Sequence, residues 1–464
     1  MSFPAGGGGP VLQVSGRQVA MWETLLPEEV TRLPQELAHI DAYLDDERFI
    51  APWRSMFHAR LGRPSVPISS LIRLLYLKHR YQLGYESLCR EVSDSISWRR
   101  FCRIPLDERV PHSTTLIKLV RRAGPEVFDH LNGALVGKLA EDKLLRGRKL
   151  RIDTTVLEAD IDHPTDADLL EHGVRKLSGL VRRIKAAGAA VRTPFRNRSR
   201  STGRRLVQIS RTLRRRTGQA LGEIDRLTGE IADIAALTLA QVAAVTRNAR
   251  RALSRRPSGQ LSRLISELDQ TVAGTGRLLA QTAQRLAGNR TIPDRMVSLA
   301  DPDARPIRKG KPQHPTQFGY TVLLAEDERG FIGFHQVNKG NPGDAPQLVP
   351  AVEQVADVTG RVPATVVADR GFGTAAGDKA LADLGVKHIG LQRGGSVSKT
   401  RRDHERTRPF RRMRNWRVGI EARISHLKRG FGLRRTRLRR IDGAQIWVGL
   451  GVFAYNLQRM TVIS

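Results

Sequence analysis

KLRIDTTVLEADI (149–161), TVVADRGF (365–372) and WRVGIEARISHLK (416–428) decide the reading of this chain. The first two are short runs rich in Ile, Val and Leu, each leading to an acid, Asp153 or Asp369. Runs of that length and composition predict buried strands. The third predicts a helix on which Ile420, Ile424, Leu427 and Phe431 form one apolar stripe. At about 100° per residue, Arg417, Glu421 and Lys428 fall within roughly 40° of one another along one flank of that stripe. A carboxylate is thereby set between two cations at the edge of a core. Carboxylates delivered from two strand ends and a helix suit oxygen-loving divalent ions such as Mg²⁺. Asp153, Asp369 and Glu421 are therefore the candidate catalytic and metal-ligating residues.

Each acid alone has a plainer reading. An Asp at a strand end often opens a turn. Glu421 can simply pair with Arg417 one turn back, an interaction worth only about 0.2–0.5 kcal/mol. The local charge argues against that reading: residues 393–440 hold 18 Lys+Arg and only 3 Asp+Glu. A rare acid in so cationic a field is what a metal site on a nucleic-acid enzyme requires, with neighbouring cations free to hold phosphate oxygens.

Composition points the same way. The chain has 464 residues, enough for two or three domains, and carries a formal charge of +32, from 78 Lys+Arg against 46 Asp+Glu. Such an excess calls for a polyanionic partner, and nucleic acid fits because each neutralised phosphate releases counterions. No apolar stretch reads as long enough to span a bilayer, so no membrane partner is expected. The N-terminal residues MSFPAGGGGPVLQVSG read as a flexible Gly-rich tail without the pattern of a secretion signal. Two cysteines, Cys89 and Cys102, are too few for a disulfide framework. A cytoplasmic, nucleoid-associated location is expected.

Residues 28–145 read as a helical domain of helix-turn-helix type that contacts DNA. In PISSLIRLLYLKHRYQLG (67–84) the stripe Ile68, Leu71, Ile72 and Leu75 leaves basic residues on the other side. Short helices are predicted at 85–92 and 95–102, then a helix capped by Ser113 that ends near Gly124. Residues 146–170 and 296–464 read as a mixed α/β catalytic domain. It has strands at 149–161, 365–372 and 386–391, a hairpin around Glu328–Gly330, and helices at 345–358, 374–384 and 413–431. Between its two parts, 171–295 reads as an inserted arm of antiparallel helices. The stripes are Ile224, Leu227, Ile231, Ile234 and Leu261, Leu264, Ile265, Leu268. Residues 171–300 hold 26 Lys+Arg against 8 Asp+Glu, and 181–216 has no acid, so DNA binding by the arm is expected. In DARPIRKGKPQ (303–313), Arg305, Arg308, Lys309 and Lys311 are candidate phosphate contacts, as are Arg417 and Lys428 on the helix.

On these segments the chain resembles the DDE-superfamily transposases of bacterial insertion sequences, close to the ISNCY-type group. Arg417, Glu421 and Lys428 stand at the spacing of that family's Y-x2-R-x3-E-x6-K signature, with Arg414 in the Tyr position. IDTTV and ADRGF resemble its two Asp motifs, and residues 57–101 resemble its helical N-terminal domain. DLLEHGVRKL (168–177) and residues 298–322 are also similar to this group. The resemblance covers about 45–460 and is weakest over 180–290. It implies a ribonuclease H-like fold and a pair of Mg²⁺ ions, or Mn²⁺ in their place, held by Asp153, Asp369 and Glu421. It also implies cleavage of element ends, transfer of the freed 3′-OH to target DNA, and a homodimer on DNA. Two other readings of the same core are a structure-selective nuclease and a non-catalytic regulator derived from a transposase.

Overall fold

The computed structural model describes residues 12–14, 27–57, 64–214, 217–289, 291–308 and 316–463. Nearly all of the expected N-terminal tail, together with Lys309 and Lys311, lies outside the described residues. Two compact units emerge: Met1–Asp160 with Tyr320–Ser464, and Ile161–Gly319.

The first unit begins with helices α1 (Glu28–Thr31), α2 (Gln35–Tyr43), α3 (Ile68–Arg80), α4 (Tyr85–Asp94), α5 (Ile96–Phe101) and α6 (Ser113–Glu141). Ile68, Leu71, Ile72 and Leu75 of α3 are buried, but so are Arg73, Lys78 and His79, so the expected basic outer face is not solvated. Arg73 turns inward because Asp41 and Asp45 receive it at 2.6 and 3.1 Å. The cap of α6 is His112 rather than Ser113: its Nδ1 accepts the Thr114 N–H at 3.3 Å. Gly124, at φ 71°, breaks the helix where the sequence predicts an end, and helical geometry resumes from Pro125 to Glu141. Proline suits that restart, since the first turn has no use for its missing N–H. Strand β1 (Lys149–Glu158) follows.

The second unit is built on α7 (Asp166–Ala186), α8 (Ser199–Leu213), α9 (Gly218–Arg255) and α10 (Gly259–Leu286). Its two apolar clusters are aligned along α9. One gathers Leu177, Val181, Val242, Val245, Leu264 and Leu268; the other gathers Leu170, Val174, Leu227, Ile231 and Leu278. Ile224 and Ile234 are only partly buried; the inward line of α9 runs instead through Leu227, Ile231, Ala235 and Val242. By length and composition α9 is apolar enough to cross a membrane, which corrects the expectation that no stretch is. Here its buried face serves α7 and α10. The short strand β2 (Arg305–Ile307) pairs antiparallel with residues 317–319.

The chain then supplies β3 (Gln317–Asp327), β4 (Ile332–Lys339), α11 (Ala345–Thr359), β5 (Thr365–Gly373), α12 (Ala375–Asp383) and β6 (His388–Arg393). Four helices close the sequence: α13 (Lys399–Arg406), α14 (Arg408–Arg417), α15 (Gly419–Gly430) and α16 (Arg440–Ile463). The helix expected over 413–431 is thus interrupted at Val418. In the first unit the strands lie in the order β4-β3-β1-β5-β6. β3 and β4 form an antiparallel hairpin, whereas β1, β5 and β6 run parallel. Leu150, Ile152, Val366 and Ala368 point from the sheet into a core completed by Leu348, Val352 and Val355 of α11 and Leu381 of α12. Helix α16, buried on almost every side, has no amphipathic period to announce it. Its Asn456 replaces a missing strand partner, exchanging hydrogen bonds with both backbone groups of Ile332 at 2.9 Å.

Past Ala368 the pairing of β5 with β6 shifts register, and contact resumes only at Gly373 opposite Arg393. A Cβ at Gly373 would stand 2.0 Å from the carbonyl oxygen of Gln392. Backbone cannot yield as a side chain does. Gly373→Ala should therefore destabilise the protein by about 1–3 kcal/mol, read as a lower urea midpoint; an unchanged midpoint would refute the close approach.

Candidate active site

Parallel pairing of β1 with β5 sets the two strand acids side by side. Ile152 is the register partner of Ala368, so the next residue on each strand is Asp153 and Asp369. Alternation along β1 sends Leu150 and Ile152 into the core and Arg151 and Asp153 to the opposite face. The third acid, Glu421, lies in the first turn of α15. One guanidinium touches all three. Arg417 Nη1 is 3.8 Å from Asp153 Oδ2 and 3.9 Å from Asp369 Oδ1, and Nη2 is 3.3 Å from Glu421 Oε1. The structure therefore brings the three acids together around a cation that the protein itself supplies.

Their exposures differ. The Asp153 side chain is 16% exposed, against 57% for Asp369 and 60% for Glu421. Asp153 is also held by the backbone N–H of Thr154, which donates to its Oδ1 at 2.7 Å. The Thr154 hydroxyl serves another acid, donating to Asp344 Oδ1 at 3.1 Å. Asp344 was not singled out from sequence, where an Asp opening a helix reads as its cap. No cap bond forms among the described residues. The carboxylate turns instead between Thr154 and Gly371, whose Cβ, if present, would be 2.8 Å from Asp344 Oδ2.

The donor set is all oxygen and suits a hard divalent cation in kind. Among the described residues no group of three His, Cys, Asp or Glu stands at metal-holding distances. Mg²⁺ needs oxygens at about 2.0–2.1 Å, closer together than the carboxylates stand around Arg417. Exposed Asp369 and Glu421 have the freedom to move.

Behind this site a buried carboxylate fixes the helix. Glu326 of β3 is fully buried and receives Arg151 at 2.7 and 2.8 Å and Arg423 of α15 at 2.8 Å. Arg151 also donates to the Trp416 carbonyl at 3.1 Å and lies over the Trp416 ring. Trp416 is thus packed under a cation, and Phe410 is buried.

The remaining basic candidates separate. Arg305 is 3% exposed, ion-paired with Asp294 and bonded to the Pro302 and Ala304 carbonyls at 2.6 and 2.8 Å. That inward pairing removes it from the phosphate contacts expected of it. Arg308 is exposed, and Lys428 lines a basic cavity two turns beyond Glu421. Arg414, in the position of the signature Tyr, is exposed.

A strongly basic chain with clustered carboxylates on parallel strand ends has the make-up of a phosphoryl-transfer enzyme acting on nucleic acid. Residues 288–457 match the family described as transposase DDE domain, and residues 25–122 match the transposase domain DUF772. Asp369 and Glu421 fall inside these ranges, whereas Asp153 falls outside both. A Rhizobium meliloti protein, the uncharacterized protein ORF8 in the nfe locus, is 27% identical over 157 residues, 32% of this chain and 74% of that one. No solved structure matches. The chain belongs to the DDE transposases of insertion sequences, enzymes that cut and join DNA with divalent metal ions.

Removing the buried acid tests the helix anchor. Glu326→Gln leaves Arg151 and Arg423 without a counter-charge and should lower stability by about 3–5 kcal/mol. Chemical denaturation reads this directly; a loss below about 1 kcal/mol, the scale of an exposed ion pair, would mean that Glu326 is no anchor.

Proposed function

We propose that Asp153, Asp369 and Glu421 form the catalytic centre of this transposase, with Mg²⁺ as the ion they hold. The observation that carries the reading is the contact of Arg417 with all three, because acids gathered from β1, β5 and α15 have no reason to converge on a surface ion pair. The strand order β4-β3-β1-β5-β6, with its hairpin followed by parallel strands, supports a ribonuclease H-like catalytic domain.

In this reading the carboxylates would hold two ions that stabilise the attacking and leaving oxygens of an in-line displacement. Asp153 is the fixed ligand, oriented by its backbone hydrogen bond. Arg417 neutralises the acids in the absence of a divalent ion; once it leaves them, its planar fork is free for phosphate oxygens of the bound strand. Lys428 and Arg308 add cationic contacts along the same polyanion. The N-terminal helices and the basic arm extend DNA contact, and joining two element ends to target DNA in one event favours a homodimer. Acting on genomic DNA implies a cytoplasmic, nucleoid-associated protein.

Asp153→Asn, Asp369→Asn and Glu421→Gln should each cut strand transfer by on the order of 10³-fold or more. DNA affinity should be retained or increased, since each change removes negative charge. The assay joins a labelled duplex, taken from the DNA flanking the gene, to a target plasmid. Cleavage without joining would favour a nuclease, and binding without either would favour a regulator. Undiminished joining by all three variants would remove these acids from the chemistry.

A further inference from the structure

A second cationic feature lies on the first unit, beside the carboxyl-terminal half of α15. It is a cavity of about 680 Å³ into which Lys78, Lys428, Arg429, Arg434, Arg435 and Arg437 project. One acid, Asp160, also lines it, and Arg435 already pairs with Asp160 at 3.8 Å and Glu158 at 3.4 Å. The walls are therefore cationic well beyond their internal compensation.

Lys78 is the informative member. It sits on α3, is only 4% exposed, and has no acidic partner among the described residues. Its ammonium lies 4.6 Å from the Trp447 ring centroid and 4.8 Å from that of Tyr85. Two aromatic faces soften the loss of water without cancelling a charge. Burial, and then Arg437, pull its pKa down to about 8. Beside it His79, 2% exposed, also lines the cavity; its Nε2 is buried without a hydrogen-bond partner, and its ring packs edge-on against Trp447. A desolvated cation costs stability unless an anion completes it. The folded chain maintains that cost in the wall of a cavity that further cations line.

We propose that this cavity is a binding site for a phosphate group, filled by a phosphodiester of the DNA strand that the enzyme holds. The assignment rests on the transposase reading for its ligand's source, but not for its chemistry. Phosphate satisfies what the site lacks: negative charge and several acceptor oxygens for clustered ammonium and guanidinium donors. Lys428 joins the two sites, since it lines the cavity from the same helix that carries Glu421. A strand seated here is consequently held in register with the carboxylates.

Lys78→Met separates binding from folding because the two should move in opposite directions. Methionine keeps the volume and the aromatic contacts while removing a charge that has no counter-ion. The free variant should melt at a higher temperature than wild type, yet bind a labelled duplex of mixed sequence about tenfold more weakly or worse. The slope of log affinity against log salt should become shallower by about 0.9, the value for one phosphate contact. Arg361→Met, on an exposed loop residue, controls for loss of one positive charge. A second arm uses orthophosphate alone against chloride at matched ionic strength, reading melting temperature: it should stabilise wild type and not Lys78→Met. A variant that melts lower and binds DNA with unchanged affinity and slope would make Lys78 a structural residue and overturn the site. Orthophosphate stabilisation that needs Lys78, with DNA affinity unchanged, would mark a free-anion site and overturn the DNA assignment. Failure of wild type to bind any DNA would sink the transposase reading, and only the orthophosphate arm would then bear on the cavity's chemistry.

Discussion

Glu326 has no access to water, and its two ion pairs hold β1 and α15 together. Arg151 precedes Asp153 by two residues and so leaves β1 on the same face. Arg423 follows Glu421 by two residues on α15. A carboxylate on β3 that takes both guanidiniums thereby ties the strand bearing Asp153 to the helix bearing Glu421. The attachment must be close, because a buried charge gains only from partners that meet it directly. Gly419 allows that closeness: a Cβ there would lie 2.0 Å from Arg151 Nη1. With Arg151 held by Glu326 and by the Trp416 carbonyl, the guanidinium has little room to retreat.

Much of the catalytic framework was legible because strands and apolar stripes write their periods into sequence. The runs at 149–161 and 365–372 contain β1 and β5, and the acids they lead to stand on adjacent parallel strands. The hairpin and the helices after it follow the same logic. What stayed illegible depends on partners distant in the chain. Arg305 and Arg73 of α3 read as solvated, since a charge declares its sign but not its counter-ion; Asp294, Asp41 and Asp45 decide the matter only after folding. Asp344 imitates a helix cap, and Glu326 looks like one more acid at the end of a strand. Helix α16 escaped for the opposite reason, since a helix apolar on nearly every side shows no face.

Two kinds of buried cation now stand out, and they obey different rules. Arg73 and Arg305 have carboxylates within reach, so their charges are settled by folding alone. Lys78 has aromatic faces instead, and its charge is settled only when something anionic arrives. The first kind specifies the structure; the second gives the structure a preference among ligands.

Arg417 stands between these kinds and explains how the three acids coexist in the folded chain. Three carboxylates so close would repel one another, and a guanidinium at 3.3–3.9 Å from each offsets that repulsion without chelating any. Those distances are too long for strong hydrogen bonds, so little is lost when the contact is exchanged. The asymmetry in exposure then sets the direction of change. Asp153 is enclosed and bonded to its own strand, so the proposed ion would draw exposed Asp369 and Glu421 toward it. A site built from one fixed and two adjustable acids can tolerate a resident guanidinium and still yield it to a divalent ion, whereas three rigid acids preset at metal distances would carry their full mutual repulsion through folding.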